Sequence, residues 1–285
     1  MRFQHKISTL CRVLKVNRST YYKHFSKKIS NRALQNQKIR SIILYVYSAS
    51  KKRLGAYKIC YLLKAEYGIH ISTGRVYRLM KSMNLPKMST VKSKFISPKK
   101  EDSFVCNNKL KQNFTTDKPN LVWVSDITYV KVNGSFYYLC VIIDLFSRKV
   151  ISYSVSNKID TKLVINTFNK AFINRNSPKN LIFHSDRGCQ YTSKEFRKFI
   201  ENLNIIQSFS AKGYPYDNAV AEAFFKFLKL EELNRKSFSS KAELELSLFE
   251  YIEGFYNSKR PHSANNMLSP NQKEKLYFDS LAIFK

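Results

Sequence analysis

Apolar residues recur at helical spacing in the first part of the chain and at strand spacing further on. Residues 6–14 read as a first helix, and Ser19 or Thr20 can cap a second that contains Tyr21 and Tyr22. Residues 30–47 continue with Ile39, Ile42, Ile43 and Val46 three or four apart. Residues 55–67 place Ile59, Leu62 and Leu63 on one face, and Gly68 stops that helix. Ser72 or Thr73 then caps a helix whose Val76, Leu79, Met80 and Met83 share a face, opposite Arg75, Arg78 and Lys81. Two short helices with a tight turn and a basic second member fit a helix-turn-helix. From 86 to about 119 the chain is rich in Lys, Ser and Pro and loses periodicity, as a linker does.

The pattern then changes. Residues 121–132, 136–144 and 149–156 read as three successive strands, the first two joined by the tight turn Asn133-Gly134. Helices are expected over 161–173 and 193–203, strands over 181–184 and 205–209, and a long helix from 217 to about 235. That order describes an antiparallel meander continued by alternating helix and strand, a mixed α/β sheet with helices on both sides. A further helix is expected over 240–256, and Pro261 and Pro270 are expected to bound short segments.

Charge adds a partner to this picture. The 285 residues carry 50 Lys+Arg against 20 Asp+Glu, and residues 1–113 alone hold 26 basic and 3 acidic side chains. A folded segment so unbalanced repels itself unless a polyanion neutralises it, which points to nucleic acid held through its phosphates. With 21 Phe and 18 Tyr the chain has material for a core, which excludes wholesale disorder. No run approaches the roughly 18 apolar residues of a membrane span. Five scattered cysteines, with no Cys-x-x-Cys pair, give neither a disulfide framework nor a zinc site. A cytosolic, non-membrane protein is expected.

Acidic residues are scarce, so their positions carry information. Asp126 lies inside a strand, where propensity and burial both disfavour a carboxylate. Asp186 follows an apolar strand, and Glu222 lies near the start of the long helix. If the three converge, they cannot all stay ionised without a cation, and hard oxygen ligands suit Mg²⁺ or Mn²⁺. Three unrelated acids are the alternative reading at this point. Asn218, Glu222, Lys226 and Lys229 form one polar stripe on the helix, with Ala219, Ala223, Phe224, Phe227 and Leu228 expected on its buried sides. His184 and Cys189 flank Asp186 but lack partners at zinc spacing, so packing or orientation is expected of them. Asp144 is expected to cap its turn and Trp123 to lie in the core. Arg260-Pro261-His262 reads equally as a DNA contact or a docking turn.

Between Asp186 and Glu222 lie 35 residues. With that spacing, and with WVSDITYV, IDLFSRKVISYSVS, HSDRGCQYTS, SAKGYPYDNAVAEAFFKFLK and YNSKRPHSANNMLSP in order, the chain resembles the integrase-like transposases of bacterial insertion sequences. Ser125 and Tyr214 depart mildly from the family pattern. The resemblance implies a ribonuclease-H-like mixed five-stranded sheet flanked by helices and preceded by an all-α helix-turn-helix region. It implies that Asp126, Asp186 and Glu222 are a metal-binding catalytic triad holding two Mg²⁺ or Mn²⁺ ions, with Lys229 as an extra basic residue beside them. DNA contacts are expected from Arg53, Lys58, Arg75, Arg78, Lys81, Lys226 and Lys229, and site support from Asn218, Tyr216 and His184.

The expected organisation is a basic helical segment (1–48), a helix-turn-helix (49–85), a basic linker (86–118), the catalytic core (119–236) and a helical extension (237–285). Strand cleavage and transfer at element ends is the implied activity, on double-stranded DNA, in a homo-oligomer associated with the bacterial nucleoid. The family often fuses such a chain to an upstream reading frame. This one shows no long heptad run and so resembles the downstream, catalytic half. A metal-dependent nuclease without strand transfer and a non-catalytic DNA-binding regulator are the rival readings.

Overall fold

The computed structural model describes residues 5–25, 29–86, 107–110, 113–211 and 215–283. The chain divides into two compact units, residues 1–87 and 88–285.

The first unit is all helical: α1 (Ile7–Val13), α2 (Arg18–Phe25), α3 (Asn31–Ala49), α4 (Ala56–Tyr67) and α5 (Thr73–Ser82). Ser30 and Ser72 cap α3 and α5 by accepting the Ala33 and Arg75 backbone N–H groups, satisfying donors that a helix start leaves open. Gly68 ends α4 in the left-handed conformation, at φ 63°, which a glycine adopts without steric cost. Ile39, Ile43 and Val46 of α3 meet Ile59 and Leu63 of α4 and Val76 and Leu79 of α5 in a small core.

The second unit is built on a five-stranded sheet, β1 (Val122–Val132), β2 (Ser135–Asp144), β3 (Val150–Ser156), β4 (Ile182–Ser185) and β5 (Ile206–Phe209), in the order β3-β2-β1-β4-β5. β1, β2 and β3 are antiparallel, whereas β4 and β5 join in parallel. This is the ribonuclease-H-like arrangement that the resemblance implies. Asn133 and Gly134, at φ 44° and 81°, make the left-handed turn that suits a two-residue hairpin. Adjacent residues Trp123 and Val124 are both at 0% exposure, so the sheet is covered on both faces. One cover comprises α6 (Thr161–Asn174), α7 (Cys189–Thr192) and α8 (Lys194–Asn202), packed through Phe168, Tyr191 and Phe196 against Trp123 and Phe183. Then come α9 (Ala219–Glu231), which lies against β1, α10 (Lys241–Tyr251) and α11 (Pro270–Ile283).

Four expectations are corrected. The long helix of 217–235 is a 3-10 turn (Pro215–Asn218), α9, and a second 3-10 turn (Leu233–Arg235). The chain breaks at Glu232, whose carboxylate turns inward to Ser247 Oγ at 2.7 Å. Within α9, Ala223 is exposed, against its expected place on a buried side, and Phe225 is buried. The helix of 240–256 is α10 followed by the π-helix Ile252–Asn257. Pro270 opens α11 rather than bounding a short segment. It occupies the first helical turn, where its missing N–H costs nothing, and Ser269 and Gln272 exchange backbone-to-side-chain bonds of 3.3 and 2.8 Å around it.

Most of the basic linker lies outside the described residues. Its described part at 107–110 is docked: Phe209 N–H donates to Asn107 O, and Lys109 N–H donates to Ser208 Oγ at 3.0 Å. Tyr214 also lies outside the described residues.

Candidate active site

The acidic site forms where the sheet opens. β4 pairs with β1 only over Val122–Val124, so from Ser125 onward that edge of β1 has no neighbouring strand among the described residues. Asp126 stands just past this divergence, held on its other side opposite Val141 of β2. Asp186 follows the last residue of β4. The start of α9 is drawn to the opening because Asn218 Nδ2 donates to the Ser125 carbonyl at 3.1 Å. One turn later α9 presents Glu222. Three elements distant in sequence thus bring their acids to one sheet edge.

Asp126 and Glu222 both feel the charge of Asp186. Asp126 is pushed up to about 8 by burial first, then by the charge of Asp186 and, more weakly, Glu222. Its own Ile127 N–H, donated to Oδ1 at 2.8 Å, and the Lys229 ammonium oppose that rise. Glu222 is raised by burial and by Asp186. Asp186 is raised by burial, against the opposing Gly188 N–H at 3.0 Å. Lys229 is lowered by burial, and Asp126 partly restores it. Space at Gly188 is tight: a Cβ there would stand 3.1 Å from both Asp186 Oδ1 and Gln190 Oε1, so a larger residue would press on the Asp186 carboxylate. Among the described residues no three His, Cys, Asp or Glu side chains are gathered closely enough to hold a metal ion. The donor chemistry nonetheless suits a hard divalent cation, since carboxylates whose charged form is disfavoured by burial and by one another gain from a cation beside them.

Beneath Asp126 lies a buried polar support. Ser125 Oγ donates to Val141 O at 2.8 Å and meets Tyr191 OH at 2.8 Å, with Cys140 Sγ nearby. Ser125 therefore touches all three elements of the site: it precedes Asp126, bonds Tyr191 from the segment after Asp186, and accepts from Asn218 ahead of Glu222. Sequence reasoning missed Tyr191, which reads as ordinary core; the only signal was its place in the HSDRGCQYTS motif. It also missed Asp217, whose Oδ2 accepts from Asn108 Nδ2 at 2.7 Å and Ala211 N–H at 2.6 Å. His184 is fully buried between Ser208 Oγ at 2.9 Å and Ser210 Oγ at 3.3 Å, and burial lowers it to about 4, so it is neutral. Tyr216 lies in the 3-10 turn before α9, with its side chain outside the described residues.

The remaining candidates separate by exposure. Lys226 is exposed; Lys229 is half-buried, its ammonium 5.1 Å from the centre of the Tyr129 ring. In the helical unit Arg78 and Lys81 are exposed and Lys58 is partly covered. Arg75 is tied to Gln35 and Asn36 of α3 at 2.8–3.2 Å. Arg53 is a correction: at 4% exposure it belongs to the interior of the helical unit and is withdrawn from any DNA-facing surface.

Trp123 is core. Asp144 caps its turn by accepting the Asn120 and Phe146 N–H groups at 2.8 and 2.9 Å. Arg260 is a docking residue, clamped on Glu231 at 2.7–3.1 Å over the Phe227 ring.

Fold and site together define an integrase-core protein with a separate basic helical unit. Comparison with known families agrees: residues 116–215 and 203–270 match two models described as integrase core domain, and residues 34–94 match an HTH-like domain. The transposase InsF for insertion sequence IS3A of Escherichia coli is 35% identical over 274 residues, covering 95% of this chain and 94% of its own. The transposase for insertion sequence element IS904 of Lactococcus lactis is 38% identical over 251 residues, covering 88% and 97%. The chain belongs to the IS3-family insertion-sequence transposases. Among solved structures, the HTLV-2 integrase catalytic core domain in complex with magnesium aligns with 55% of this chain and 98% of its own, at 22% identity and a TM-score of 0.41. Among the described residues no helix is long and apolar enough to cross a membrane.

Proposed function

We propose that this transposase cuts and joins double-stranded DNA at the ends of its insertion sequence, with Asp126, Asp186 and Glu222 holding two Mg²⁺ or Mn²⁺ ions in the active complex. The observation that supports this reading is the placement of the three acids: Asp126 just past the point where β4 leaves β1, Asp186 directly after β4, and Glu222 on the helix whose start is tied to the Ser125 carbonyl through Asn218. Bound there, the cations would activate the attacking oxygen and offset charge on the leaving oxygen.

The chain's own residues prepare that site. Asp126 is fixed by its strand and by the Ser125 support, whereas Asp186 and Glu222 keep exposed surface and can re-aim. Closing on an ion therefore requires rotation of those two side chains. Lys226 and Lys229 meet the phosphates flanking the scissile bond. One phosphodiester is hydrolysed by water to leave a 3′-hydroxyl. That hydroxyl attacks a phosphodiester of the target strand in line, its proton passing to solvent and a new 3′-hydroxyl leaving. No protein nucleophile is required.

Residues 49–85 supply DNA affinity and end recognition, the core at 119–236 supplies the chemistry, and 237–285 braces it. Joining two ends in one complex calls for at least a dimer on DNA.

The test is incubation of the full chain with duplex element ends and Mg²⁺, followed by denaturing gels. Glu222→Gln should lower cleavage on the order of 10²–10³-fold or more, while DNA binding stays equal or tightens because a repelling charge is gone. Loss of binding in that variant counts against the role. Nicks without joined products favour a nuclease, and a gel shift with intact DNA favours a pure binder.

A further inference from the structure

Beyond the acids, β1 continues into a stretch of sheet that one layer of helices leaves bare. Trp123 and Ser125 are buried under α6 to α8, and Ile127 is partly covered, but Tyr129 and Lys131 on the same strand face are exposed. Tyr129 is 60% exposed, and Phe136 on β2 is 52% exposed. In register, Lys131 stands opposite Phe136 and Tyr129 opposite Tyr138, so Tyr129 and Phe136 are diagonal neighbours. Their rings meet edge to face with centroids 5.4 Å apart. Two exposed aromatic rings braced in this way, with ammonium groups at their border, combine an apolar stacking surface with positive charge.

We infer that Tyr129 and Phe136 form a stacking platform for an unpaired nucleobase of the DNA strand leaving the acidic site, with Lys131 holding the adjoining phosphate and Lys229 standing between the platform and the phosphates beside the scissile bond. The charge favours this occupant over another protein surface, since a second copy of this chain, at net charge +30, would bring mostly like charge to the lysines. Distance gives the position of the base. Tyr129 is three residues along the strand from Asp126, about 10 Å at ~3.3 Å per residue. Its side chain points to the opposite sheet face, so the DNA strand reaches it round the open edge of β1. There Lys229 stands 5.1 Å from the Tyr129 ring centre and also feels Asp126. At the duplex rise of ~3.4 Å per nucleotide the span from Asp126 to Tyr129 holds about three nucleotides, and fewer once the strand is unstacked and extended. The platform therefore takes a base within about three nucleotides of the scissile bond, which requires the duplex to fray there. Stacking on an aromatic face tolerates any base, so the contact would stabilise the opened end without reading its sequence.

This rests on the reading of the acids as the DNA-cutting site, and the experiment keeps the two separable. The full chain is titrated, without divalent cations, against two fluorescein-labelled duplexes of one sequence. One is fully paired; the other carries about three unpaired nucleotides at one end, with 2-aminopurine among them. The expected result is a preference of about 10-fold for the frayed duplex, with the 2-aminopurine emission quenched. Tyr129→Phe should keep both effects. Tyr129→Leu, which keeps apolar area but no ring, should lose both. Lys131→Ala should weaken the two duplexes equally.

No preference and no quenching in the unaltered chain, or full preference in Tyr129→Leu, would overturn the platform. So would a change in self-association of the DNA-free Tyr129→Leu variant, which would make the patch a protein contact. Cleavage that survives Asp126→Asn while the frayed-end preference persists would reject the catalytic reading and leave the platform standing.

Discussion

The two units handle charge in opposite ways. Residues 1–87 contain 20 Lys and Arg and a single acid, Glu66, so this unit has no internal means of neutralising itself. Its cations can be balanced only from outside, and its helices need no more than a small aliphatic core to display them. The unit at 88–285 holds 19 of the 20 acids and uses several inside the fold. Glu231 clamps Arg260, Glu274 joins Ser147, Lys149 and Arg175, and Glu232 meets Ser247. The lesson concerns placement. Charge in the first unit, the interior Arg53 apart, is a surface property that acts at a distance. Charge in the second is local and directional, and it fixes the helices around the three acids.

The strongest way to break this contrast is to unpair the Glu231–Arg260 clamp, where both side chains are 2% exposed. Tyr251 OH also donates to Glu231 Oε2 at 2.8 Å, so Glu231→Ala strands a buried guanidinium and a buried hydroxyl together. Such a loss costs about 3–5 kcal/mol. Urea or thermal unfolding should show the transition of the second unit moving down while that of the first stays in place. A double Glu231→Met, Arg260→Met variant should recover part of the loss, because removing both charges leaves only the Tyr251 hydroxyl without its partner. An unchanged second transition in Glu231→Ala would mean the clamp is ornamental.

A smaller effect is expected at Glu274, whose carboxylate is held below the ordinary glutamate value of 4.5 mainly by the Arg175 hydrogen bond and charge, against the cost of burial. The folded pKa is depressed, so the carboxylate contributes stability that is fully present above the unfolded value. That contribution is lost as pH falls through the folded value. Glu274→Gln should therefore cost about 1–3 kcal/mol near neutrality, the range for hydrogen bonds to a charged group. The difference from the unaltered chain should close below pH 4.5. A constant gap across an acid titration of the second transition would show that packing, not charge, is what the glutamate supplies.

Much of this fold was legible because its elements are locally consistent. Ser72, Gly68 and Asn133-Gly134 mark their boundaries by chemistry that needs no tertiary context, and the structure ends elements at each of them. The break at Glu232 was not legible, because helical propensity favours continuing there and the distant Ser247 hydroxyl that meets its buried carboxylate leaves no local mark in the sequence. Helix α11 was legible in principle: Ser269, Pro270 and Gln272 form a recognisable helix start, but a proline after a polar run invites the opposite reading. Asp126 stood out as a carboxylate inside a strand, whereas its support did not. Tyr191 and Ser125 look like core and strand residues until the fold brings them within 2.8 Å. Arg53 shows the limit of charge counting, since a sequence cannot tell a displayed arginine from an interior one.

That distinction yields the smallest effect, and it tests the first unit alone. Arg78 and Lys81 lie on the exposed face of α5, so each is available to a phosphate, whereas Arg53 is interior. A side chain that neutralises one phosphate contributes about one unit to the slope of log affinity against log salt. Arg78→Ala should therefore flatten the slope by about 1, weaken binding equally for unrelated duplexes, and leave the unfolding transition unmoved. Arg53→Ala should do the converse, lowering the first transition while the slope measured on folded protein stays the same. Fluorescence anisotropy across a salt series, with both variants melted in parallel, separates the two outcomes. Equal slope changes in both would mean that the interior arginine reaches DNA after all, and the division between displayed and internal charge would have to be redrawn within the helical unit.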